Sequence, residues 1–259
     1  MMLGNYETNN IYNDDCITAT RTLPGECVDF ILTDPPYNIN FSSQHRQEKF
    51  EVILNDNLSD EEFDQLLTDY FTECYRILKN DSFAITFMGW STIPAFERAI
   101  KKTPFEIKSM PIWVKNNFGL GYYTRPQYEP MYLLLKGKPT PPNVAISDVI
   151  HCAKVQDLIH SCQKPLPLLI KLINTFCPRG GVVFDGFGGS GSTGVAALDT
   201  QREFLMFELD KTHFKSAQKR IKDKQSKPSI FDMFDIETTK PEQNTFFDDC
   251  GEDGGVCNN

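Results

Sequence analysis

The sequence predicts an α/β protein with a doubly wound, mostly parallel sheet. Short apolar segments alternate with segments of helical periodicity along most of the chain. A polar or acidic residue follows several apolar segments directly, as Asp34 follows residues 27–33. A glycine-rich turn at residues 185–191 joins one apolar segment to a helical one. With 259 residues the chain can bury about three quarters of its unfolded surface, so one large domain is feasible.

The first half of the chain contains most of the predicted strands. Apolar or alternating patterns predict strands within 9–16, at 27–32, at 82–88, at 105–115 and at 128–136. Helical spacing predicts helices at 17–23, 59–79 and 91–102, and the second begins with a capping box of Ser59 and Glu62. Residues 38–57 are polar and without periodicity, which indicates a long functional or mobile loop.

The second half begins with a weakly patterned segment, residues 137–163, and then returns to alternating elements. Helices are expected at 166–176, 192–198 and 211–222, and strands at 182–184 and 203–208. We therefore expect one domain at 1–227, followed by a flexible acidic tail at 228–259.

The negative charge of the chain is concentrated in that tail. The net charge is −9; residues 228–259 hold eight acidic residues and one lysine, or −7, which leaves −2 for residues 1–227. Residues 101–138 contain seven basic and two acidic side chains, which permits a local basic face, although solvated surface lysines explain them equally well. The tail is expected to be a solvated extension, with partner docking or DNA mimicry as alternatives.

Cysteine usage and hydropathy indicate a reducing, cytoplasmic location. The eight cysteines are scattered and include no Cys-x-x-Cys pair, which argues against a zinc site or a disulfide framework. The chain has no basic-then-apolar start typical of a secretory signal and no apolar stretch long enough for a membrane span. No metal is expected.

The segment Asp34-Pro35-Pro36-Tyr37 is the first candidate site. Asp34 is predicted at the carboxyl end of a buried strand, where open α/β sheets bind their ligands. The prolines stiffen the backbone and leave carbonyl groups as acceptors. A carboxylate, a carbonyl and an aromatic ring together suit a flat group that bears an amino function. Taken alone, the segment is equally well explained as a strand-ending turn.

The glycine-rich turn is the second candidate site. Gly186, Gly188 and Gly191 satisfy G-x-G-x-x-G between a strand and a helix, and Glu208 ends the next strand 22 positions after Gly186. A carboxylate there can accept hydrogen bonds from ribose hydroxyls, so an adenosine-containing cofactor is expected rather than an empty tight turn. The other half of the sheet must precede this turn, which favours S-adenosylmethionine over NAD.

With both motifs in view, the chain resembles the amino-methylating (N6-adenine/N4-cytosine) DNA methyltransferases, in the class whose catalytic motif precedes the cofactor motif. The matching segments are 13–16, 28–39, 112–115 with 128–129, 160–165, and 184–197 with 207–208. Gly186 departs from a frequent proline, Ser192 interrupts a usual Gly-Thr, and Asp14 replaces a common glycine. The resemblance implies a Rossmann-like S-adenosylmethionine-dependent methyltransferase fold.

The resemblance also implies roles for individual residues. Asp34 and the Pro35 carbonyl would orient the amino nitrogen, Pro36 would stiffen the turn, and Tyr37 would stack on a flipped-out base. The methionine part of the cofactor would be held by Lys164, Pro165, Asp185, Phe187, Gly188, Gly189, Ser190 and Gly191. Glu208 would bind the ribose, and Asp15 with Cys16 would border the adenine of the cofactor.

The expected partner is double-stranded DNA, and a homodimer is left open. Candidate phosphate contacts are Lys115, Arg125, Lys136 and Lys138. Adenine N6 is favoured over cytosine N4; a non-catalytic binding subunit and an NAD-dependent dehydrogenase are the alternatives from other classes. Residues 137–163 form a short candidate recognition segment, which predicts a short or relaxed DNA site or a second subunit. His151 and His160 are interpreted as local hydrogen-bonding residues.

Overall fold

The structure is a computed structural model that describes residues 1–39, 56–119, 121–155 and 163–226. Most of the predicted polar loop and the whole acidic tail lie outside the described residues. The chain divides into a compact unit, Met1–Lys227, and a second unit, Pro228–Asn259, which falls entirely in the undescribed part.

The compact unit is built on a nine-stranded sheet within the described residues, preceded by a short antiparallel hairpin. The order along the main path of the sheet is β3-β11-β10-β4-β5-β8-β7-β9, and β6 pairs with β8. The hairpin is β1 (Met2–Leu3) and β2 (Tyr6–Glu7), and the sheet strands are β3 (Asn10–Tyr12), β4 (Val28–Thr33), β5 (Leu78–Phe87), β6 (Glu106–Ser109), β7 (Ile112–Val114), β8 (Tyr128–Lys136), β9 (Val149–His151), β10 (Val182–Asp185) and β11 (Glu203–Phe207).

Helices cover both faces of this sheet, which confirms the predicted doubly wound fold. The helices are α1 (Cys16–Arg21), α2 (Asp60–Ile77), α3 (Ile93–Lys101), α4 (Leu166–Phe176), α5 (Ser192–Asp199) and α6 (Lys211–Gln225). One core lies between the sheet and α1, α2 and α3; the other lies between the sheet and α4, α5 and α6. Strands β3, β11, β10, β4 and β5 are parallel, and β8 is antiparallel to β5.

The order of the strands creates the crevice in which the candidate motifs meet. From β4 the chain crosses through α2 to β5 on one side, whereas from β10 it crosses through α5 to β11 on the other side. The sheet therefore changes winding direction between β4 and β10, and ligands of such sheets bind at this point, beyond the carboxyl ends of the strands. Asp34 follows β4 and Asp185 ends β10, so both carboxylates lie at this crevice.

Helix α2 begins as predicted, because Ser59 and Glu62 form a complete capping box at its first turn. The Glu62 backbone N–H donates to Ser59 Oγ over 3.2 Å, and the Ser59 N–H donates to the Glu62 carboxylate over 3.0 Å. The Ser59 hydroxyl also donates to the Glu62 carboxylate over 2.9 Å, and the two bonds that Ser59 donates lower the pKa of Glu62.

Several element boundaries differ from the prediction. The single strand expected at 105–115 is two strands, β6 and β7, separated at Met110 and Pro111, since proline removes a ladder donor. The strand expected at 82–88 begins earlier, at Leu78, directly after α2. Residues 91 and 92, expected to begin the helix, belong to a 3₁₀ turn, Trp90–Thr92, before α3. Strand β9 lies within the weakly patterned segment 137–163, and the hairpin of β1 and β2 was not predicted.

Candidate active site

The carboxylate of Asp34 is held by two donors from distant parts of the chain. Tyr37 Oη donates to Asp34 Oδ1 over 2.7 Å, and the ammonium of Lys164 bonds to Asp34 Oδ2. Lys164 is buried, and its Nζ lies 4.8 Å from the centroid of the Phe87 ring. Pro35 is buried and Pro36 is half-buried, so the segment that follows β4 packs against the rest of the protein.

Glu129, the second residue of β8, adds a second carboxylate to this cluster. Its Oε2 lies 3.3 Å from Lys164 Nζ and accepts a 3.4 Å hydrogen bond from Tyr37 Oη. Its Oε1 pairs with the ammonium of Lys115, which follows β7. Two carboxylates and two ammonium groups therefore balance each other's charge at the mouth of the crevice. We call Asp34, Tyr37, Lys115, Glu129 and Lys164 the ionic cluster.

The two carboxylates of the ionic cluster have opposite pKa shifts. Burial raises the pKa of Asp34; the ammonium of Lys164 opposes this shift, while the charge of Glu129 adds to it. Burial disfavours ionisation of Glu129 as well, but Lys164 and Lys115 together outweigh it and lower the pKa of Glu129 to about 2. Glu129 is therefore the permanent anion of the cluster, and Asp34 is the carboxylate whose charge responds to its surroundings.

The glycine-rich turn packs against helix α2 through Tyr70. The Tyr70 hydroxyl bonds with Thr33 Oγ1 over 2.7 Å and accepts the Gly186 N–H over 3.3 Å. A Cβ at Gly186 would lie 2.6 Å from a carbon of the Tyr70 ring, so only glycine permits this approach. The Phe187 ring lies edge-on to Tyr70 at 4.8 Å. One buried tyrosine thus connects the ends of β4 and β10.

Asp185 contributes a buried carboxyl group at the start of this turn. It accepts hydrogen bonds from Thr193 Oγ1 over 2.7 Å and from the Phe187 N–H over 3.0 Å. Burial raises the pKa of Asp185 to about 7, and the nearby charge of Asp34 contributes to the rise. The two strand-ending carboxyl groups therefore influence each other across the crevice.

Glu208, after β11, closes the other end of the glycine-rich turn. Its carboxylate accepts the Gly189 N–H over 2.7 Å and the Asp210 N–H over 2.8 Å. Burial raises the pKa of Glu208. Gly188 donates its N–H to the Phe207 carbonyl over 2.7 Å, and Ser190 is held through its carbonyl by Arg220 over 3.0 Å. The turn is thus fastened along its length before Gly191 leads into α5.

The predicted adenine-bordering pair, Asp15 and Cys16, lies at the start of α1, after β3. Asp15 caps the helix, since its carboxylate accepts the Thr18 N–H over 2.8 Å. Cys16 is buried, and burial raises the pKa of its thiol. Strand β3 pairs with β11, so this pair and Glu208 follow neighbouring parallel strands.

The four predicted phosphate contacts differ in exposure and in their distance from Asp34. Lys136 is buried and donates to the carbonyls of Tyr75 and Leu78 over 3.0 and 2.6 Å. Lys138 is exposed, but it follows the far end of β8, about 25 Å from the edge that carries Asp34. Lys115 is held by Glu129. The assignment of Lys136 and Lys115 as surface phosphate contacts is therefore corrected, because their ammonium groups have internal partners.

Arg125 is exposed and belongs to the segment that joins β7 to β8, at the edge of the sheet that carries Asp34. Pro165 is buried and starts α4 beside Lys164, whose ammonium contacts Asp34. The assignment of Lys164 and Pro165 to the methionine part of a cofactor stays a prediction.

Two residues of the site had no predicted role. Tyr70 was expected only as one apolar position of a helix, and Glu129 only as part of a matching segment. The signal for Glu129 was present, because an acidic residue near the start of an apolar strand is unusual. Tyr70 carried no such signal, since its hydroxyl partners come from two other elements.

Among the described residues no group of three or more His, Cys, Asp and Glu side chains is arranged to hold a metal ion. In the same part of the chain, no helix has both the length and the apolar character that a bilayer span requires.

Comparison with known proteins decides the family. A family model described as "DNA methylase" (N6_N4_Mtase) matches residues 28–154 and 143–219, which together cover more than half of the chain. The chain belongs to the DNA methylase family. YubD of Escherichia coli (strain K12) is 33% identical to it over 207 residues, which are 80% of this chain and 87% of YubD.

Another relative of this DNA methylase is the "DNA adenine methyltransferase YhdJ" of Escherichia coli (strain K12). It is 24% identical over 255 residues, which cover 83% of each chain. The resemblance drawn from the motifs is thereby confirmed at the level of the family.

Solved structures confirm the fold class. The M1.HpyAVI–SAM complex superposes with a TM-score of 0.62 at 23% identity and covers 82% of this chain and 98% of its own. The PvuII DNA methyltransferase, titled cytosine-N4-specific, superposes with a TM-score of 0.67 at 15% identity over 84% of this chain and 91% of its own.

Proposed function

We propose that this DNA methylase transfers a methyl group from S-adenosylmethionine to the N6 amino group of an adenine flipped out of double-stranded DNA. The observation that carries the proposal is the position of Asp34-Pro35-Pro36-Tyr37 after β4, beside the glycine-rich turn after β10. The name of YhdJ supports adenine. Cytosine N4 is the alternative, because it presents the same kind of amino group and the PvuII enzyme shares the fold.

The residues around the glycine-rich turn fit an adenosine-containing cofactor. Each Glu208 carboxylate oxygen accepts one backbone N–H, and each keeps a second lone pair that can accept from a ribose hydroxyl. Asp15 and Cys16, after the neighbouring strand β3, would border the adenine. The turn from Asp185 to Gly191, with Pro165, would hold the methionine part. When bound, S-adenosylmethionine supplies an electrophilic methyl group on a sulfonium.

Asp34 and the Pro35 carbonyl would activate the target nitrogen. An exocyclic amino nitrogen is a weak nucleophile because its lone pair is delocalised into the ring. If each oxygen acceptor takes one N–H, the lone pair becomes localised and points away from both acceptors. The nitrogen would then be a competent nucleophile toward the methyl group that S-adenosylmethionine supplies when bound. The proton that the nitrogen loses leaves along its hydrogen bond to Asp34, whose raised pKa favours acceptance.

This role requires an exchange of donors at Asp34. Both of its oxygens already accept hydrogen bonds, from Tyr37 and from Lys164, so an arriving amino group must displace one donor. Glu129 Oε2 lies 3.3 Å from Lys164 Nζ, so the ammonium can transfer its bond to Glu129 without becoming unpaired. Moving this cation away from Asp34 also removes it from the nitrogen, where positive charge develops. Glu129 would thus act as a positioning residue.

Tyr37 would hold the flipped base. Its hydroxyl is anchored on Asp34, and Gly89, after β5, packs on its ring, since a Cβ at Gly89 would lie 3.3 Å from a Tyr37 ring carbon. The ring orientation is thus set before the base arrives, which lowers the entropy lost on binding.

Transfer of a tritiated methyl group from S-adenosylmethionine to DNA tests the proposal, with mass spectrometry of the nucleosides to identify the product. We expect N6-methyl-2′-deoxyadenosine with the wild type, and a loss of at least about 1,000-fold with Asp34→Ala while cofactor affinity is retained. Wild-type activity in Asp34→Ala would refute the role of this carboxylate. N4-methyl-2′-deoxycytidine would establish the alternative base, and no transfer to DNA would refute the proposed activity.

A further inference from the structure

The described part of the segment between β7 and β8, residues 115–119 and 121–127, forms a hairpin that starts in the ionic cluster and returns to it. Lys115 follows β7 and Glu129 is the second residue of β8, and these two side chains form an ion pair. Beyond the strands, the Lys115 N–H donates to the Gln127 carbonyl over 2.8 Å and the Gly119 N–H to the Pro126 carbonyl over 2.7 Å. The arms of this 115–128 hairpin are therefore fixed at the mouth of the crevice.

The tip of the 115–128 hairpin presents two tyrosines. A Cβ at Gly121 would lie 2.0 Å from the Thr124 carbonyl oxygen, so the backbone turns back tightly between these residues and requires glycine there. Tyr122 and Tyr123 occupy the turn, with exposed fractions of 103% and 100%. Behind them, the Arg125 guanidinium lies 4.3 Å from the centroid of the Phe118 ring.

The two tyrosines at the tip do not take part in the packing of the compact unit, because both are fully exposed. Scattered apolar side chains on a surface need no explanation, but two adjacent, fully exposed rings on a hydrogen-bonded hairpin form an exposed aromatic surface. Residues 116–128 contain no acidic side chain and include Arg125, in a protein with a net charge of −9. The length of the arm allows the tip to lie up to about 20 Å from Lys115.

We propose that Tyr122 and Tyr123 stack on the bases of duplex DNA and fill the space that the flipped base leaves. The inference rests on the proposed function. Removing a base from the stack exposes two neighbouring base faces, and a tyrosine ring restores the lost stacking at low entropic cost because it has few rotatable bonds. The position of the hairpin fits this role, since its base carries Glu129 and Lys115 of the ionic cluster. Arg125 would contact the adjacent phosphates.

The experiment compares the double variant Tyr122→Ala/Tyr123→Ala with Tyr122→Phe/Tyr123→Phe, which keeps both rings. The methylation site is first mapped on plasmid DNA with the wild-type enzyme. Single-turnover rates at saturating enzyme are then measured on two oligonucleotide duplexes: one fully paired and one with a mismatch at the target base. Duplex affinity, cofactor affinity and the free energy of unfolding are measured for every variant.

We expect the alanine variant to lose about 10- to 100-fold on the paired duplex, the range expected when stacking is removed. On the mismatched duplex the loss falls below about 3-fold, because an unpaired base leaves the stack more easily. The phenylalanine variant stays within about 3-fold of the wild type on both duplexes. Stability and cofactor affinity are unchanged, since the tip is exposed.

A wild-type rate for the alanine variant on the paired duplex would overturn the inference, and so would an equal loss on both duplexes. A loss in the phenylalanine variant as large as that in the alanine variant would also overturn it, because the hydroxyl groups would then be responsible. If the wild type methylates no site on the plasmid DNA, the proposed function fails. In that case duplex affinity still decides the role of the tip, and equal affinities of the wild type and the alanine variant would overturn it.

Discussion

At the scale of residues, the ionic cluster gives the buried carboxylate of Asp34 partners that the proposed target nitrogen could replace. Burying an unpaired carboxylate is costly, so Asp34 needs donors when DNA is absent. Tyr37 and Lys164 supply them, and Glu129 offers Lys164 a second acceptor. Within the ionic cluster, the charge of the carboxylate proposed to activate the nitrogen is therefore neutralised by its partners.

Glu129→Gln tests this exchange. The substitution keeps the shape of the side chain but removes the charge that competes for Lys164, so Lys164 stays on Asp34. We expect the single-turnover rate to fall by at least about tenfold, or about 1.4 kcal/mol. The charge of Glu129 contributes to the raised pKa of Asp34, so the acidic limb of the rate–pH profile should move to lower pH. Glu106→Gln, at an exposed pair with Lys108, is the control. An unmoved acidic limb would contradict the exchange.

Asp185 predicts a pH dependence of stability. Its pKa is about 7 in the folded protein against an ordinary value of 3.8, so the folded state binds the proton more tightly. Its contribution to stability is therefore largest at low pH and decreases as the pH rises to about 7, by up to about 1.4 kcal/mol per pH unit.

Denaturant unfolding of the wild type and Asp185→Asn from pH 5 to pH 8 measures this contribution. The variant has no proton to lose, and the Thr193 hydroxyl can rotate to accept from an amide. We expect the variant to gain stability relative to the wild type as the pH increases. A constant difference across the range would show that the carboxyl group titrates normally.

At the scale of elements, helix α2 does more than cover one face of the sheet. Its capping box fixes where it starts, and Tyr70, in its third turn, reaches Thr33 and Gly186 at the ends of β4 and β10. These are the strands from which the catalytic motif and the glycine-rich turn emerge. The helix thus sets the spacing between the two halves of the candidate site.

Tyr70→Phe should reveal this spacing role. The ring remains, but Thr33 and Gly186 lose their buried hydrogen bonds to the hydroxyl. We therefore expect a loss of about 1–3 kcal/mol in the free energy of unfolding. S-adenosylmethionine affinity should decrease as well, as measured by calorimetry. Tyr75→Phe, on the same helix but away from the crevice, should leave cofactor affinity unchanged. Equal effects of the two substitutions would refute the spacing role.

At the scale of the whole molecule, charge is divided unevenly between the compact unit and the tail. The tail carries −7 of the net charge of −9. Among the described residues, the buried core residues lie within residues 3–221. The net charge of the protein is therefore set largely by residues outside the described part of the chain.

Deletion of residues 228–259 tests this division. We expect the melting temperature and the methyl-transfer rate to stay at wild-type values, and DNA affinity at physiological salt to change by less than about 3-fold, because salt screens a solvated tail. A more than tenfold tighter affinity, confined to low salt, would instead indicate that the tail competes with DNA. Filter binding at two salt concentrations distinguishes these results.

The sequence by itself determined the fold class and the order of the two motifs. Periodicity and turn chemistry act within a few residues, so the sequence contains the alternation of strands and helices, the Ser59 cap and the glycine-rich turn in readable form. The chemistry of Asp34-Pro35-Pro36-Tyr37 is equally local, because its acceptors and its ring are contiguous in the chain. The errors lie at boundaries, such as the break at Pro111 between β6 and β7, and in the short strands β1, β2 and β9, which were not predicted.

Only the tertiary structure decided which side chains meet. Lys164 lies 130 residues from Asp34 and Glu129 lies 92 residues from Tyr37, and strand order and register bring them together. The direction of β8 likewise places Glu129 beside the site and Lys136 at the opposite edge of the sheet. The physical reason is that ion pairs and buried hydrogen bonds depend on distance in space. Spacing along the chain does not fix that distance until the sheet has assembled.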